Sequence, residues 1–158
     1  MNVKTVIENA FTAMRNERMK TSEQLTLGEM LIKLEPIVEK QKTRKSNNED
    51  EAEVFFDFEY LFPIGIHSWR GSYSELALKF SGIDFDGIEK KVMTVTKFYK
   101  LLKNTIGKTL EGYKGGEFLM GKNTPVWVAN YSHSGNTAVV DILDKGYNVL
   151  IITKNLEY

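Results

Sequence analysis

"VFFDFEYLFP", residues 54–63, alternates apolar and acidic side chains in the manner of a half-buried β-strand. Three aromatic side chains and one valine share one face of this strand, while Asp57 and Glu59 lie on the other. Proline has no amide hydrogen to donate to a neighbouring strand, so Pro63 is expected to end the strand. The segment therefore predicts a sheet that begins near residue 54.

Two amphipathic helices are predicted before this strand. Apolar residues recur at three- and four-residue spacing over residues 2–19. Thr26 and Glu29 have the spacing of a capping box, which predicts that a second helix begins there. Pro36 is expected to kink or end this helix, because proline removes a hydrogen-bond donor and crowds the preceding turn.

Residues 39–53, "EKQKTRKSNNEDEAE", contain a single apolar residue, Ala52, and their basic residues precede their acidic ones. We interpret them as a solvated helix end and a mobile loop. The alternative is a nucleic-acid contact through the basic residues Lys40, Lys42, Arg44 and Lys45. The chain is then a single domain of 1–158, with a helical arm over 1–38 and an α+β core over 54–158.

The second half of the chain predicts more strands and one central helix. A strand is expected near 76–80, with a short helix capped by Ser72 as the alternative. Thr94 is a good N-cap for a helix that ends near Gly107. Four short β-rich runs follow: "EFLM", "PVWVANY", "TAVVDIL" and "NVLIIT". The order predicts an α+β fold, with N-terminal helices and one central helix packed on a mainly antiparallel sheet.

Composition and charge exclude several classes of function. The chain of 158 residues has no cysteine, which rules out thiol catalysis and thiolate metal sites. Lysine plus arginine equals aspartate plus glutamate at 21 each, which argues against broad nucleic-acid binding. The apolar runs are too short for a signal peptide or a membrane span, so we expect a cytoplasmic protein. A net charge of zero is also compatible with a homo-oligomer.

The segment "IGIHSWRGSYSEL", residues 64–76, is the main candidate site. Its chemistry-bearing residues are His67, Trp69, Arg70, Tyr73 and Glu75. Arginine offers a planar charged fork for phosphate or carboxylate, and the aromatic residues offer flat faces. The segment therefore predicts a site for a planar anion such as a nucleotide, or an anchor for a protein interface. The alternative is that Trp69 packs in the core while Arg70 pairs with Glu75 or Asp57.

A second glycine-rich segment, "GYKGGEF", residues 112–118, adds Tyr113 and Lys114 to this prediction. Glycines let the backbone approach a ligand closely, and a lysine can pair with phosphate or carboxylate. The alternative is a glycine-rich turn with a solvated lysine. We expect Arg70 and Lys114 to converge on one recess. "IGKT", residues 106–109, lacks the first glycine of a phosphate-binding loop and follows a helix, so no such loop is predicted.

The two histidines, His67 and His133, each have a serine neighbour. The residue types of a serine–histidine–acid catalytic triad are present in the sequence, but the chain has no G-x-S-x-G nucleophile elbow. Their distance in sequence, without cysteine or an H-x-x-x-H pair, argues against a metal site. No catalytic residue, metal or cofactor is therefore predicted.

Three ordered segments resemble a family of small uncharacterised bacteriophage and prophage proteins: "LTLGEMLIKLE", "FDFEYLFPIGIHSWRGSYSELAL" and "TVTKFYKLLKNTIGKTLEGYKGGEFLMGKNTPVWVANY". The similarity runs over residues 21–131 and includes a serine–aromatic–arginine–glycine element at 68–71 and a glycine–tyrosine–lysine–glycine–glycine element at 112–116. A threonine–proline–aromatic strand follows at 124–127. Trp69 stands where the family usually has tyrosine. The resemblance implies a phage origin and a shared fold, with no reaction attached.

We therefore expect a phage-encoded accessory binding protein that works in the host cytoplasm. It would act as an inhibitor of a host protein or sequester a host defence signalling molecule. Its partner would be a host protein or a small anionic ligand such as a nucleotide, without membrane contact. The alternative is a small enzyme that acts on a nucleotide or nucleic acid, with His67 as general acid or base and Arg70 or Lys114 stabilising phosphate charge.

Overall fold

The computed structural model describes residues 23–58, 61–69, 75–82, 92–112, 115–129 and 136–156. Within these ranges the fold is α+β, with two helices and eight strands. The helices are α1 (Leu27–Ser46) and α2 (Val95–Thr105). The strands are β1 (Glu53–Phe56), β2 (Leu61–His67), β3 (Leu76–Gly82), β4 (Thr109–Glu111), β5 (Glu117–Leu119), β6 (Val126–Val128), β7 (Thr137–Asp144) and β8 (Asn148–Asn155). The helix predicted over 2–19 lies outside the described residues.

The described strands form one six-stranded sheet, in the order β1-β8-β7-β6-β3-β2, and a separate antiparallel ribbon of β4 and β5. The sheet is mixed, whereas the sequence predicted a mainly antiparallel one. Strand β1 runs parallel to β8, and β3 runs parallel to β6; the other three pairs are antiparallel. Strands β1 and β3 each pair with a strand that follows α2 in the sequence. The long connection between the partners can return the chain to the end of the sheet where the first strand began, so the two strands run parallel.

Residues 54–63 belong to two strands rather than to one. Strand β1 ends at Phe56, and β2 begins at Leu61 and continues through Pro63 to His67. The prediction that Pro63 ends a strand is therefore wrong. Strand β2 lies at the edge of the hydrogen-bonded order, and its register against β3 shifts between Pro63 and Gly65. An edge position and a bulge are the two places where a strand tolerates proline.

The short connection between β1 and β2 forces the sheet to curve. Four residues separate Phe56 from Leu61, although the two strands form opposite edges of the sheet. Five interstrand spacings in a flat sheet would put those edges about 24 Å apart. The connecting chain can span at most about 17 Å. The sheet therefore curls until β1 and β2 contact each other, and the rings of Phe55 and Phe62 meet edge to face with centroids 6.3 Å apart.

Both helices pack on one face of the curved sheet. The main core joins the buried face of α1 and α2 to inward-facing side chains of the strands; its members include Leu27, Met30, Leu34, Val54, Phe56, Leu78, Phe98, Leu102, Val128 and Ile151. A smaller cluster contains Ala77, Trp127 and Ala138. Because successive strand residues point to opposite faces, this cluster lies on the other side of the sheet from the helices. No helix in the described ranges is long and apolar enough to cross a bilayer.

The predicted helix starts are confirmed. Thr26 Oγ1 accepts a hydrogen bond from the Glu29 amide at 3.2 Å, and Glu29 Oε1 accepts one from the Thr26 amide at 3.4 Å. Thr94 caps α2 by accepting from the Lys97 amide at 3.3 Å. Helix α1 does not end at Pro36, as had been one expectation, but continues to Ser46. Pro36 is exposed while Ile37 beyond it is buried, so core packing holds the helix together past the missing hydrogen bond.

Residues 39–46 form the last turns of α1. They are the first eight residues of the segment 39–53, which the sequence indicated to be a solvated helix end and a mobile loop. Gln41 is buried; its amide donates to the Ile37 carbonyl at 3.0 Å, and its carbonyl accepts from the Ala52 amide at 2.8 Å. Arg44 donates to the carbonyl oxygens of Asp50 and Gly146 at 2.9 and 2.8 Å. These bonds tie the end of α1 to the chain that enters β1 and to the β7–β8 turn.

The remaining predicted strands are also found. Strands β5 to β8 coincide with the four β-rich runs, and β3 occupies the segment for which a short helix was the alternative. Strand β4 was not predicted, because its three residues are too few to show a period.

Gly28 provides a test of how α1 docks on the loop before β6. Its amide donates to the Lys122 carbonyl at 2.8 Å, and a β-carbon at position 28 would lie 2.9 Å from that oxygen. Intrinsic helix propensity favours alanine over glycine by about 1 kcal/mol. We expect the clash to outweigh this gain, so that Gly28→Ala lowers the free energy of unfolding by about 1–2 kcal/mol in urea denaturation.

Thr43→Ala is the matched control, because Thr43 is exposed on the same helix. It should leave the urea midpoint unchanged or raise it slightly. A stabilised Gly28→Ala variant would contradict the close contact between α1 and Lys122.

Candidate functional site

Three of the seven predicted site residues are described, and they lie where β2 ends and β3 begins: His67, Trp69 and Glu75. The other four lie outside the described residues: Arg70, Tyr73, Tyr113 and Lys114. The convergence of Arg70 and Lys114 on one recess therefore stays a prediction.

His67 and Trp69 form a pair at this end of the sheet. Their ring centroids are 3.9 Å apart, with the planes tilted by 51°. Burial lowers the pKa of His67 below its usual value of 6.5, and the positive charge of Lys79 on β3 lowers it further. The imidazole is thus neutral at pH 7 and can accept a proton. Trp69 is half-buried against this ring, and it is not a member of the buried core clusters.

The sequence left open that Arg70 forms an ion pair with Glu75 or Asp57 instead of binding a ligand. The Asp57 carboxylate accepts from the amide of Thr153 at 3.0 Å and from its hydroxyl at 2.7 Å. These bonds fasten the chain just after β1 to β8, which gives Asp57 a structural task in the sheet.

The other sequence motifs give no site within the described ranges. Gly107 and Lys108 follow the end of α2, as the sequence predicted, whereas the phosphate-binding motif follows a strand and opens a helix. No group of three or more histidine, aspartate or glutamate side chains among the described residues could hold a metal ion. The N-terminus of α1 is also occupied, because the amides of Leu27, Gly28 and Glu29 all have protein acceptors.

A cleft between α1 and α2 is a site that sequence reasoning missed. Its volume is about 490 Å³. Four of its lining side chains are lysines: Lys42 and Lys45 on α1, and Lys100 and Lys103 on α2. Tyr99 contributes a half-buried ring, and three glutamates complete its charged lining: Glu35, Glu39 and Glu51. We call this feature the lysine cleft.

The chain path sets the direction of the two walls. The end of α1 lies close to the start of α2, because Ala52 is bonded to both helices. Its amide donates to the Gln41 side chain of α1, and its carbonyl accepts from the Val95 amide of α2 at 2.8 Å. Glu51 bridges the two helices at this end by contacting both Lys45 and Thr96. Because α1 arrives at this end and α2 leaves from it, the walls run antiparallel, and Lys100 and Lys103 lie progressively farther from Glu51.

The lysines on the α1 wall have carboxylate partners. Lys42 Nζ lies 2.9 Å from Glu39 Oε1, and Lys45 Nζ lies 3.3 Å from Glu51 Oε1. The Glu51 side chain is only 14 % exposed and also accepts from the Thr96 hydroxyl at 2.7 Å. Burial would raise the pKa of Glu51, but the bonds from Thr96 and Lys45 lower it below its usual value. Glu51 is therefore a fixed negative charge at neutral pH.

The lysines on the α2 wall have no carboxylate partner among the described residues. Lys100 and Lys103 are exposed and take part in none of the salt bridges found among the described residues. Lys103 Nζ lies 5.8 Å from the centroid of the Tyr99 ring, near the outer limit of a cation–π contact. This wall presents positive charge beside an aromatic ring, an arrangement that can receive an anion.

The lysine cleft left a weak trace in the sequence. Lys42 and Lys45, like Lys100 and Lys103, are three residues apart, which places each pair on one face of a helix. The two pairs are more than fifty residues apart in the chain, and only the docking of the helices brings them together.

Comparison with known proteins gives no further guide to this site: no protein-family model, no curated protein and no solved structure matches the chain.

The neutral state of His67 can be measured directly. In an NMR titration, we expect the His67 ring protons to report a midpoint below 6.5, because burial and Lys79 both disfavour the charged imidazole. Lys79→Gln should move this midpoint upward, and Lys97→Gln, an exposed lysine on α2, should not. His67→Gln assigns the resonance. A midpoint above 6.5 in the unchanged protein would contradict the described environment.

Proposed function

We propose that the chain is a phage-encoded accessory binding protein, which antagonises its host by holding an anionic partner in the lysine cleft. The partner is a host protein or a host defence signalling molecule, and the protein acts in the host cytoplasm. The observation that carries this proposal is the α2 wall of the cleft, where Lys100 and Lys103 lie near Tyr99 and no carboxylate in the described part of the chain pairs with them.

The dimensions and charge of the lysine cleft support binding of a small anion. Its volume lies within the range of about 300–1,000 Å³ that is usual for small-molecule sites. Four lysines against three glutamates leave a net positive lining in a chain whose overall charge is zero. Positive charge confined to a cleft raises the local concentration of anions without making the whole surface attract nucleic acid.

The residues predicted from sequence remain proposed contacts for the same class of partner. Trp69 and His67 present flat rings at the end of the β2–β3 hairpin. Arg70 and Lys114 would add the charges that a phosphate or carboxylate needs. Binding measurements on Arg70→Ala and Lys114→Ala would show whether this second surface contributes.

A specific observation also favours a second candidate, a small enzyme that acts on a nucleotide or nucleic acid. His67 combines a lowered pKa with a position beside an indole ring, and a neutral imidazole can serve as a general base. His67→Gln separates the two functions. It should abolish turnover if the residue is catalytic, and it should weaken ligand affinity only slightly if the protein only binds, because the lysine cleft then holds the partner.

Native mass spectrometry tests the binding proposal. We expect the chain purified at low ionic strength from a host lysate to retain a stoichiometric small anion or host protein. The double variant Lys100→Glu/Lys103→Glu should release it, because the α2 wall then repels anions. Lys97→Glu/Lys108→Glu is the matched control: it makes the same change in net charge at two exposed lysines that do not line the cleft.

Retention of the bound species by the first double variant would contradict the role of the lysine cleft. Release by both double variants alike would show that net charge, rather than this cleft, controls binding.

A further inference from the structure

We propose that the lysine cleft is selective for a phosphorylated small molecule with a flat ring, the class to which nucleotides belong, and that Glu39 competes with the phosphate for Lys42. This inference rests on the proposed function and names the ligand of the same site.

The two ion pairs on the α1 wall differ in how firmly they are held. The Glu51 carboxylate is largely buried and is fastened by Thr96 as well as by Lys45. Lys45 is therefore committed to an internal partner. Glu39 and Lys42 are 63 % and 72 % exposed and form an i,i+3 pair on the surface of α1. Such pairs are weak in water, so an incoming anion can replace the carboxylate of Glu39.

Three ammonium groups then remain for the ligand. Lys42 lines one wall and Lys100 and Lys103 line the other, so that the three lysines share one cleft of about 490 Å³. A phosphate group offers several acceptor oxygens and up to two negative charges, so it can take hydrogen bonds from more than one lysine at a time. A monocarboxylate offers fewer acceptors and a single charge. The chemistry of the lining therefore favours a phosphate ester over a carboxylate.

Tyr99 supplies the second part of the recognition. Its ring is half-buried and lines the cleft together with the lysines, and Lys103 Nζ lies 5.8 Å from its centroid. A planar base can stack on such a ring while its phosphate reaches the ammonium groups. A ligand with both features gains from both contacts, whereas inorganic pyrophosphate gains only from the lysines.

Isothermal titration calorimetry with ADP, adenosine and pyrophosphate tests this inference at low ionic strength. We expect ADP to bind more tightly than pyrophosphate and far more tightly than adenosine. Lys42→Gln and Lys100→Gln should each weaken ADP binding about tenfold, as for the loss of one charge-assisted hydrogen bond. Glu39→Gln should tighten it about twofold, because the competing ion pair is removed.

Two further variants test the ring and the specificity of the charge effect. Tyr99→Leu should abolish the preference for ADP over pyrophosphate, while Tyr99→Phe, which keeps the ring, should preserve it. Lys97→Gln removes an exposed lysine of the same helix outside the cleft and should leave all three affinities unchanged. Thermal unfolding of each variant checks that the fold is intact.

The possible failures are distinguishable. Absence of binding by either phosphate compound, together with no bound species in the native mass spectrum, would overturn the proposed function as well. Binding of ADP that is insensitive to Glu39→Gln and Lys42→Gln would overturn this inference alone. Equal affinity for ADP and pyrophosphate, or tighter binding of a polyglutamate peptide than of ADP, would overturn it too.

Discussion

The whole architecture depends on one length constraint, the four residues that connect β1 to β2. These strands occupy opposite edges of a six-stranded order, and so short a connection can be made only if the sheet curls until its edges contact. Both helices share one core with the strands of this sheet. The position of the lysine cleft follows from this arrangement, since α1 and α2 must lie side by side over the same core.

The alignment of the two helices depends on buried and partly buried polar side chains at the end of α1. Gln41 is buried and accepts the Ala52 amide, which fixes the point where the chain turns toward β1. Arg44 binds two backbone carbonyls and lies 4.9 Å from the ring of Tyr147. A backbone amide that is buried without an acceptor destabilises the fold. The Gln41 side chain therefore serves two purposes: it accepts the Ala52 amide of the loop, and it donates to the Ile37 carbonyl within α1. The same turns of α1 present Lys42 and Lys45 to the cleft.

Local signals in the sequence predicted local structure well. The capping box at Thr26 and the cap at Thr94 are determined by hydrogen bonds within a few residues, so both could be predicted without knowledge of the fold. The prediction that Pro63 ends a strand was wrong because a strand tolerates proline at an edge position, and only the strand order reveals that position. The mixed sheet and the lysine cleft also depend on contacts between distant segments. The contact between His67 and Trp69 is local, since the two residues are only two positions apart, but it leaves the predicted site itself untested.

The distribution of charge in this chain explains how a protein with no net charge can still have a cationic cleft wall. Two lysines on the other side of α1 are matched by aspartates of β7: Lys33 by Asp141 and Lys40 by Asp144. On the side that faces α2, Glu51 neutralises one lysine inside the fold, and Glu39 neutralises another only at the surface. Within the ranges that the structure describes, Lys100 and Lys103 on the α2 wall have no such partner. An equal count of charges argues against a diffuse attraction for polyanions, while the folded arrangement places Lys100 and Lys103, which have no ion pair among the described residues, where two helices form a recess.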